Sequence, residues 1–295
     1  MKLFQLSCCS TADISLEHLQ KRDIAYVPFH FFLDEREYVD DLGRSVPYDQ
    51  FYQAMAGGAS TRTSQVNVTE FCDYFRRFLD EGLDVLHVCL SSGISGVSNS
   101  AFTAQKILRE EYPQRKIYIV DSLGASSGYG LLMDKLADLQ EQGLDAEQTY
   151  AWAEAHKLEL HHWFFSTDLT FYIRGGRISK TAGTIGSILD ICPLLNMDAQ
   201  GKLIPRAKIR TKKRVIKEIV EKMRQNAQGG LDYDGKCYIS QSACLEDAQA
   251  VAALVEKTFP RLQGPVEINP IGYTIGSHTG PGTVALFFWG KTRQD

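Results

Sequence analysis

The sequence predicts an α/β protein of two domains, with a mainly parallel sheet in the N-terminal domain and a second, mixed-sheet α/β domain after it. Three observations carry this. Strand and helix signals alternate through the first half, and helix after strand, repeated, means a parallel sheet covered on both faces. Around His161 the texture changes to a hairpin and strands less regularly separated by helices. The 295 residues suit about two domains of ordinary size. We expect domains at 1–160 and 161–295, with any ligand between and within them.

The first domain is organised around 85–112, reading VLHVCLSSGISGVSNSAFTAQKILREEY. Residues 85–90 are an apolar run expected to be a buried strand. Ser91-Ser92-Gly93-Ile94-Ser95-Gly96 makes a turn, and beyond it Ala101, Ala104 and Leu108 share one helical face. Open α/β sheets bind ligands outside the carboxyl ends of their strands, where this turn falls. Its glycines let backbone approach a ligand, and the helix start offers unpaired N–H groups with partial positive charge. Three serine hydroxyls add donors. The turn suits an anion's oxygens, although helix capping accounts equally well for any one serine.

Upstream, 2–7 reads as a strand and Ser10-Thr11-Ala12-Asp13 as a turn into a short helix near 16–19. The apolar run 24–33 is interrupted by Pro28, which belongs at a strand start or edge. The polar and aromatic span 38–55 reads as a loop and then a helix. Thr69 is the expected N-cap of a helix with Phe71, Tyr74, Phe75, Phe78 and Leu79 as its apolar stripe. Downstream, a strand at 116–120 ends at Asp121-Ser122. Ala125, Tyr129, Leu132, Leu136 and Leu139 then fit helical spacing, with Gly143 as the stop and a further helix over 145–160.

In the second domain 163–167 is the first expected strand. Asp198-Ala199-Gln200-Gly201 turns a hairpin between 194–197 and 203–209. A helix from near Thr211 buries Val215, Ile216, Ile219, Val220 and Met223. Strands at 236–241, 266–271 and 283–289 flank a last helix with Ala248, Val251, Ala252, Val255 and Phe259.

Composition narrows the function classes. Apolar content of 44% and charged content of 23% are those of a soluble globular protein. The formal net charge of −4 argues against nucleic acid as main partner, because phosphate binding needs a positive face. Residues 1–6 are too short an apolar run for a signal peptide, and no run of about 18 apolar residues follows, so a cytoplasmic location is expected. The seven cysteines (Cys8, Cys9, Cys72, Cys89, Cys192, Cys237 and Cys244) are odd in number and scattered, with no CxxC pair. Neither a disulfide framework nor a zinc site is indicated, and small buried hydrophobes are the expected role. No cofactor is expected.

Three hydroxyl- and glycine-bearing segments recur where loops are expected: Thr61-Arg62-Thr63-Ser64-Gln65, the 91–95 turn, and the late run 272–282. The late run has glycines and a proline around His278, a density that suits a tight loop presenting one side chain. The other six histidines lie in helix or strand patterns without HxxxH or HExxH spacing, and a structural role is expected for them. A glycine cluster, Arg174-Gly175-Gly176-Arg177-Ile178-Ser179-Lys180, precedes 181–189. If helical, 181–189 has small residues for close approach and apolar ones to line a tunnel; packing on the sheet explains it as well. Basic residues crowd 202–224, either as a solvated face or as a docking surface for an acidic partner or phosphorylated ligand.

Taken in order, these segments resemble the DegV family of bacterial lipid-binding proteins, including the fatty-acid-binding subunits of the two-component fatty acid kinase. Ser10-Thr11-Ala12-Asp13 is similar to the family's S-[ST]-x-D turn, Tyr38-Val39-Asp40 to its Y-x-D, Thr63-Ser64-Gln65 to its T-S-Q, and 91–96 to its S-S-x-[LI]-S-G. Asp121-Ser122, Gly175-Gly176-Arg177-Ile178-Ser179, Arg210-Thr211 and 276–282 complete the series. The resemblance implies a DegV-like two-domain carrier of one long-chain fatty acid, without catalysis of its own. The carboxylate would meet Thr63, Ser95 and His278, and the tail would enter an apolar tunnel. A partner kinase subunit would phosphorylate the carboxylate, giving an acyl-phosphate, with peripheral membrane contact for ligand exchange. Ser64, Ser92, Gly96, Arg174, Arg177, Arg210 and Thr279 would support the site or face the partner, Arg210 matching the family's functional arginine. The chain departs from the family's usual pattern at Cys9, where an aspartate is common, and at Val97, where a threonine is.

The chemistry agrees with this. A tail of roughly fourteen methylenes contributes on the order of 10 kcal/mol when fully buried, against about 1–3 kcal/mol for each head-group hydrogen bond. The tail should set affinity and the head group position. Three alternatives have weaker support. An acyl hydrolase using Ser95, His278 and Asp121 lacks the G-x-S-x-G elbow. A DNA-binding regulator conflicts with the acidic total. A nucleotide-binding enzyme lacks both GxGxxG and GxxxxGK[ST].

Overall fold

Strand β1 (Phe4–Cys9) is buried at every residue, as a strand covered on both faces must be. The computed structural model, which describes residues 4–179 and 191–294, places it inside a four-stranded sheet. Strand β2 (Ile24–Val27) and β6 (Asp84–Cys89) flank it, and β7 (Ile117–Asp121) closes the order β2-β1-β6-β7, all parallel. Helix α1 (Leu16–Lys21) follows β1, α4 (Val97–Glu111) follows β6, and α5 (Ser127–Glu141) and α6 (Ala146–His156) follow β7. The apolar stripe of α3 (Val68–Asp80) is buried as expected, but its cap is Asn67. The Asn67 side chain accepts from Glu70 N–H at 3.0 Å, and the Glu70 carboxylate accepts from Asn67 N–H at 2.7 Å. Thr69, the expected cap, already lies inside the helix; a reciprocal box two residues earlier satisfies more of the free N–H groups.

The run 24–33 divides at Pro28. Its second half, β3 (His30–Leu33), joins a separate antiparallel sheet in the order β4-β3-β5, with β4 (Arg36–Val39) and β5 (Thr61–Ser64). This sheet was not expected, because four-residue strands with one face half exposed leave little periodicity to read. It covers a hydrophobic cluster of Phe31, Phe51, Tyr52 and Tyr273 with Met55, to which α2 (Tyr48–Ala56) contributes.

The helix expected over 145–160 stops at His156, because Leu160 already pairs with Trp289. From there the second sheet is mixed: β8 (Leu160–Ser166), β9 (Ile191–Met197), β10 (Leu203–Arg210), β11 (Cys237–Gln241), β12 (Glu267–Pro270) and β13 (Thr283–Trp289), in the order β10-β9-β8-β13-β11-β12. All its pairs are antiparallel except β11 with β12. The hairpin turning at 198–201 is present as read, and α7 (Thr170–Arg174), α8 (Lys212–Asn226) and α9 (Leu245–Thr258) fill the connections. The late glycine run is not a loop: it folds as α10 (Tyr273–Thr279), with Gly276 packed against Tyr52 and Phe51. The expectation for 181–189 lies outside the described residues. The largest apolar cluster joins both sheets, holding Leu6, Val85 and Val120 together with Phe164, Ala285 and Phe287.

Candidate functional site

The carboxyl-end turns of the parallel sheet face the mixed sheet across a cavity of about 600 Å³, well inside the range of small-molecule sites. The mixed sheet supplies one smooth wall. His162 and Phe164 on β8, and Thr283, Ala285 and Phe287 on β13, line it at every second residue, with Phe164 opposite Ala285 and His162 opposite Phe287. Side chains two apart share a sheet face, so one strand pair yields a continuous surface. Phe29, Leu90, Ile94 and Ala125 close the space from the turns of the parallel sheet.

Among the lining residues Thr63 Oγ1 lies 2.8 Å from His278 Nε2. The two are brought together through β3: Thr63 pairs with Phe31, and Phe31 stacks on Tyr273 of α10 at 4.2 Å between ring centroids. His278 Nδ1 is buried without a partner among the described residues, against Gly175, where a Cβ would strike the ring. Burial first, and the nearby Arg177 cation second, push His278 down to about 4, so the imidazole is neutral near pH 7. Arg177 donates to the Ile94 carbonyl at 3.2 Å and the Gly175 carbonyl at 2.6 Å, pinning the segment after α7 to the 91–96 turn. Ser95 Oγ accepts from Val97 N–H at 3.2 Å and donates to Gln65 Oε1 at 3.4 Å. Gln65, two residues beyond Thr63, thus links the strand carrying Thr63 to the turn carrying Ser95.

Thr63, Ser95 and His278 all line this cavity, as do Ser64, Gly96, Arg177 and Thr279. Ser92, Arg174 and Arg210 do not. Ser92 is exposed and gives its N–H to Asp121 Oδ1 at 3.0 Å; Arg174 lies over Phe171, 5.5 Å from the ring centroid; Arg210 is exposed at the end of β10. Gly93 is spent elsewhere than on a ligand: it lies against the backbone of Gln200 and Gly201, and Ser91 Oγ donates to the Gly201 carbonyl at 2.8 Å. The hydrolase alternative is not assembled. Asp121 accepts from Ser92 and Leu123 N–H groups, while His278 Nε2 faces Thr63.

Sequence reasoning missed several contributors. His162, expected to be structural, is part of the cavity wall; burial holds its pKa well below the ordinary value, and Nε2 has no partner among the described residues. Asp13 and Asp40 stand in segments noted above without a role. The Asp13 carboxyl accepts from Gly272 N–H at 3.0 Å and from Ser126 Oγ, and Asp40 Oδ2 accepts from Thr274 Oγ1 at 2.7 Å. Both therefore hold the first turn of α10. Burial raises both, Asp40 to about 6. Among the described residues, three Cys, His or carboxylate ligand atoms come together at Cys9, His87 and Cys89, none of which lines the cavity. No helix among them is long and apolar enough to cross a membrane.

Comparison with known proteins gives this geometry a lineage. Residues 9–291 match the model of the family described as "Uncharacterised protein, DegV family". The chain is 34% identical to the DegV domain-containing protein CPE0026 of Clostridium perfringens, covering 100% of both chains. It is similar to a solved DegV family protein of Thermus thermophilus described by its fatty acid binding, with a TM-score of 0.86 at 26% identity, covering 98% of this chain and 100% of that one. The fold also matches the fatty acid kinase B3 protein of Streptococcus pneumoniae, solved with linoleic acid, with a TM-score of 0.84 at 22% identity over 98% of this chain and 100% of that one. This chain therefore belongs to the DegV family.

Proposed function

We propose that the protein binds one long-chain fatty acid between its 1–160 and 161–295 domains and presents the carboxylate to a partner kinase for acyl-phosphate formation. One observation supports the reading: side chains from three remote segments, Thr63, Ser95 and His278, line one cavity whose other lining residues are largely apolar, and Thr63 Oγ1 lies 2.8 Å from His278 Nε2. A neutral imidazole and two hydroxyls hold a carboxylate without neutralising it, so it keeps its nucleophilic lone pairs; a bidentate arginine would tie them up. The fatty acid binding of the Thermus thermophilus relative supports the ligand class. The kinase step has support from the exposed basic residues Arg206, Lys208 and Arg210 on one face of β10, which suit a phosphate-bearing partner surface. The fold shared with the Streptococcus pneumoniae kinase B3 protein is consistent with it. Catalysis of the transfer would belong to the kinase, and this chain would need no cofactor of its own.

Mass spectrometry of lipid released from the purified protein tests the reading: a single class of long-chain fatty acid is expected, and recovery of none after delipidation and re-exposure overturns it. Kinase-dependent phosphorylation of bound lipid should fall in His278→Ala; an unchanged rate removes the head-group assignment.

A further inference from the structure

Cys9, His87 and Cys89 are completely buried, and their ligand atoms all lie within 4.8 Å of one another. The grouping follows from strand geometry. Ser7 pairs with His87 on neighbouring parallel strands and Cys8 with Val88, so Ser7, Cys9, His87 and Cys89 share one sheet face. Cys9 Sγ is 3.5 Å from His87 Nε2. His87 Nδ1 is engaged by Ser7 Oγ at 2.8 Å, and Ser7 Oγ by the Tyr74 hydroxyl at 2.7 Å. The edges and faces of Phe71 and Phe75 enclose the ring.

We propose that Cys9, His87 and Cys89 bind one thiophilic d10 cation, of the Zn²⁺ or Cu⁺ type. Sulfur at about 2.3 Å and imidazole nitrogen at about 2.0 Å from a metal lie roughly 3.5–3.7 Å apart at angles between the tetrahedral value and the trigonal one that three ligands impose. Cys9 and His87 already hold that spacing. Ligating histidines fix their free nitrogen by a hydrogen bond, and the Ser7–Tyr74 pair does this for Nδ1, aiming Nε2 at the thiols. Binding displaces thiol protons: two thiolates with Zn²⁺, or one thiolate and one thiol with Cu⁺, leave no net charge in the core. Water has no access to the three side chains, so the ion would be structural, tying β1 to β6 immediately before the turns that carry Asp13 and Ser95. The site is invisible to motif reading because its ligands come from two strands, as S-x-C and H-x-C, and not from one CxxC. It is independent of the lipid reading, since none of the three lines the cavity.

Metal analysis of protein purified without chelator, followed by anaerobic titration of the reduced, stripped protein, tests this. Zn²⁺ is titrated against a chromophoric chelator and Cu⁺ against bicinchoninate, which separates the two ions. Either ion binding at one per chain supports the site. Cys9→Ala/Cys89→Ala should weaken binding at least about 100-fold and Ser7→Ala about 10- to 100-fold, while Cys237→Ala retains it. Failure of both ions to compete with the chelator, or an unchanged stoichiometry in the double variant, overturns the proposal. Should the double variant fail to fold, X-ray absorption of the loaded unsubstituted protein decides: two sulfurs and one nitrogen support it, and a shell without sulfur overturns it.

Discussion

The two sheets border the same cavity in opposite ways. The parallel sheet meets it end-on, through turns that follow its strands, and supplies Leu90, Ser95 and Ser126 from irregular backbone. The mixed sheet meets it face-on, through alternate residues of β8 and β13. End-on turns can aim individual polar groups; a sheet face offers area but little choice of direction. Thr63, Ser95 and His278 therefore come from the small sheet, a turn and α10, and the broad wall of Phe164, Ala285 and Phe287 from strands, with Leu90 and Ile94 closing it from the turns. Affinity should belong to the face and chemistry to the ends.

The largest effect should come from the face. Ala285→Phe places a ring beside its cross-strand partner Phe164, across the path proposed for the tail. Displacing about four methylenes at about 0.8 kcal/mol each would cost roughly 3 kcal/mol, near 100-fold in affinity. Displacement of a fluorescent fatty acid measures it, and shorter chains should lose less than longer ones; an equal loss for all lengths would break the division proposed here. The ends should matter less for binding. Thr63→Val or His278→Ala should each cost about 1–3 kcal/mol in affinity, by calorimetry with one fatty acid, and the loss should not vary with chain length.

The pH response sharpens the contrast from another side. His278 and His161 are both held down to about 4 by burial, against an ordinary value of 6.5. Between those limits the unfolded chain binds more protons, so their contribution is fully present above about pH 6.5 and is lost as pH falls through about 4. Asp40, raised to about 6 by burial, acts in the opposite direction and is most favourable at low pH. Urea midpoints measured from pH 7.5 to 4.5 should fall more in the unsubstituted protein than in His161→Phe. The smallest effect concerns Asn67, whose box anchors the helix just after the Thr63 strand. Asn67→Ala should lower unfolding stability by about 0.5–2 kcal/mol, with fatty acid affinity little changed.

Much of this was legible in the sequence, and the exceptions have physical reasons. Long apolar strands and the stripe on α3 could be read because each buries a whole face. The small sheet could not, since β3, β4 and β5 are four residues each and gain their order from Phe31 stacking on Tyr273, far along the chain. Glycine misled twice. The 272–282 run suggested a loop, whereas Gly276 gives α10 room beside Tyr52. Gly93 suggested access for a ligand and instead admits the hairpin. Thr63, Ser95 and His278 were named through family resemblance; spacing alone does not unite residues 63, 95 and 278. His162 and the Cys9–His87–Cys89 group depend on strand pairing, which no local pattern encodes.

The contact of Gly93 and Ser91 with Gly201 has one more consequence. The turn bearing Ser95 rests on the tip of the β9–β10 hairpin, whose outer strand carries Arg206, Lys208 and Arg210. A protein gripping that outer strand would have a handle on the turn that lines the cavity, and a tug there would reach Ser95 through the Ser91–Gly201 hydrogen bond and two apposed glycines.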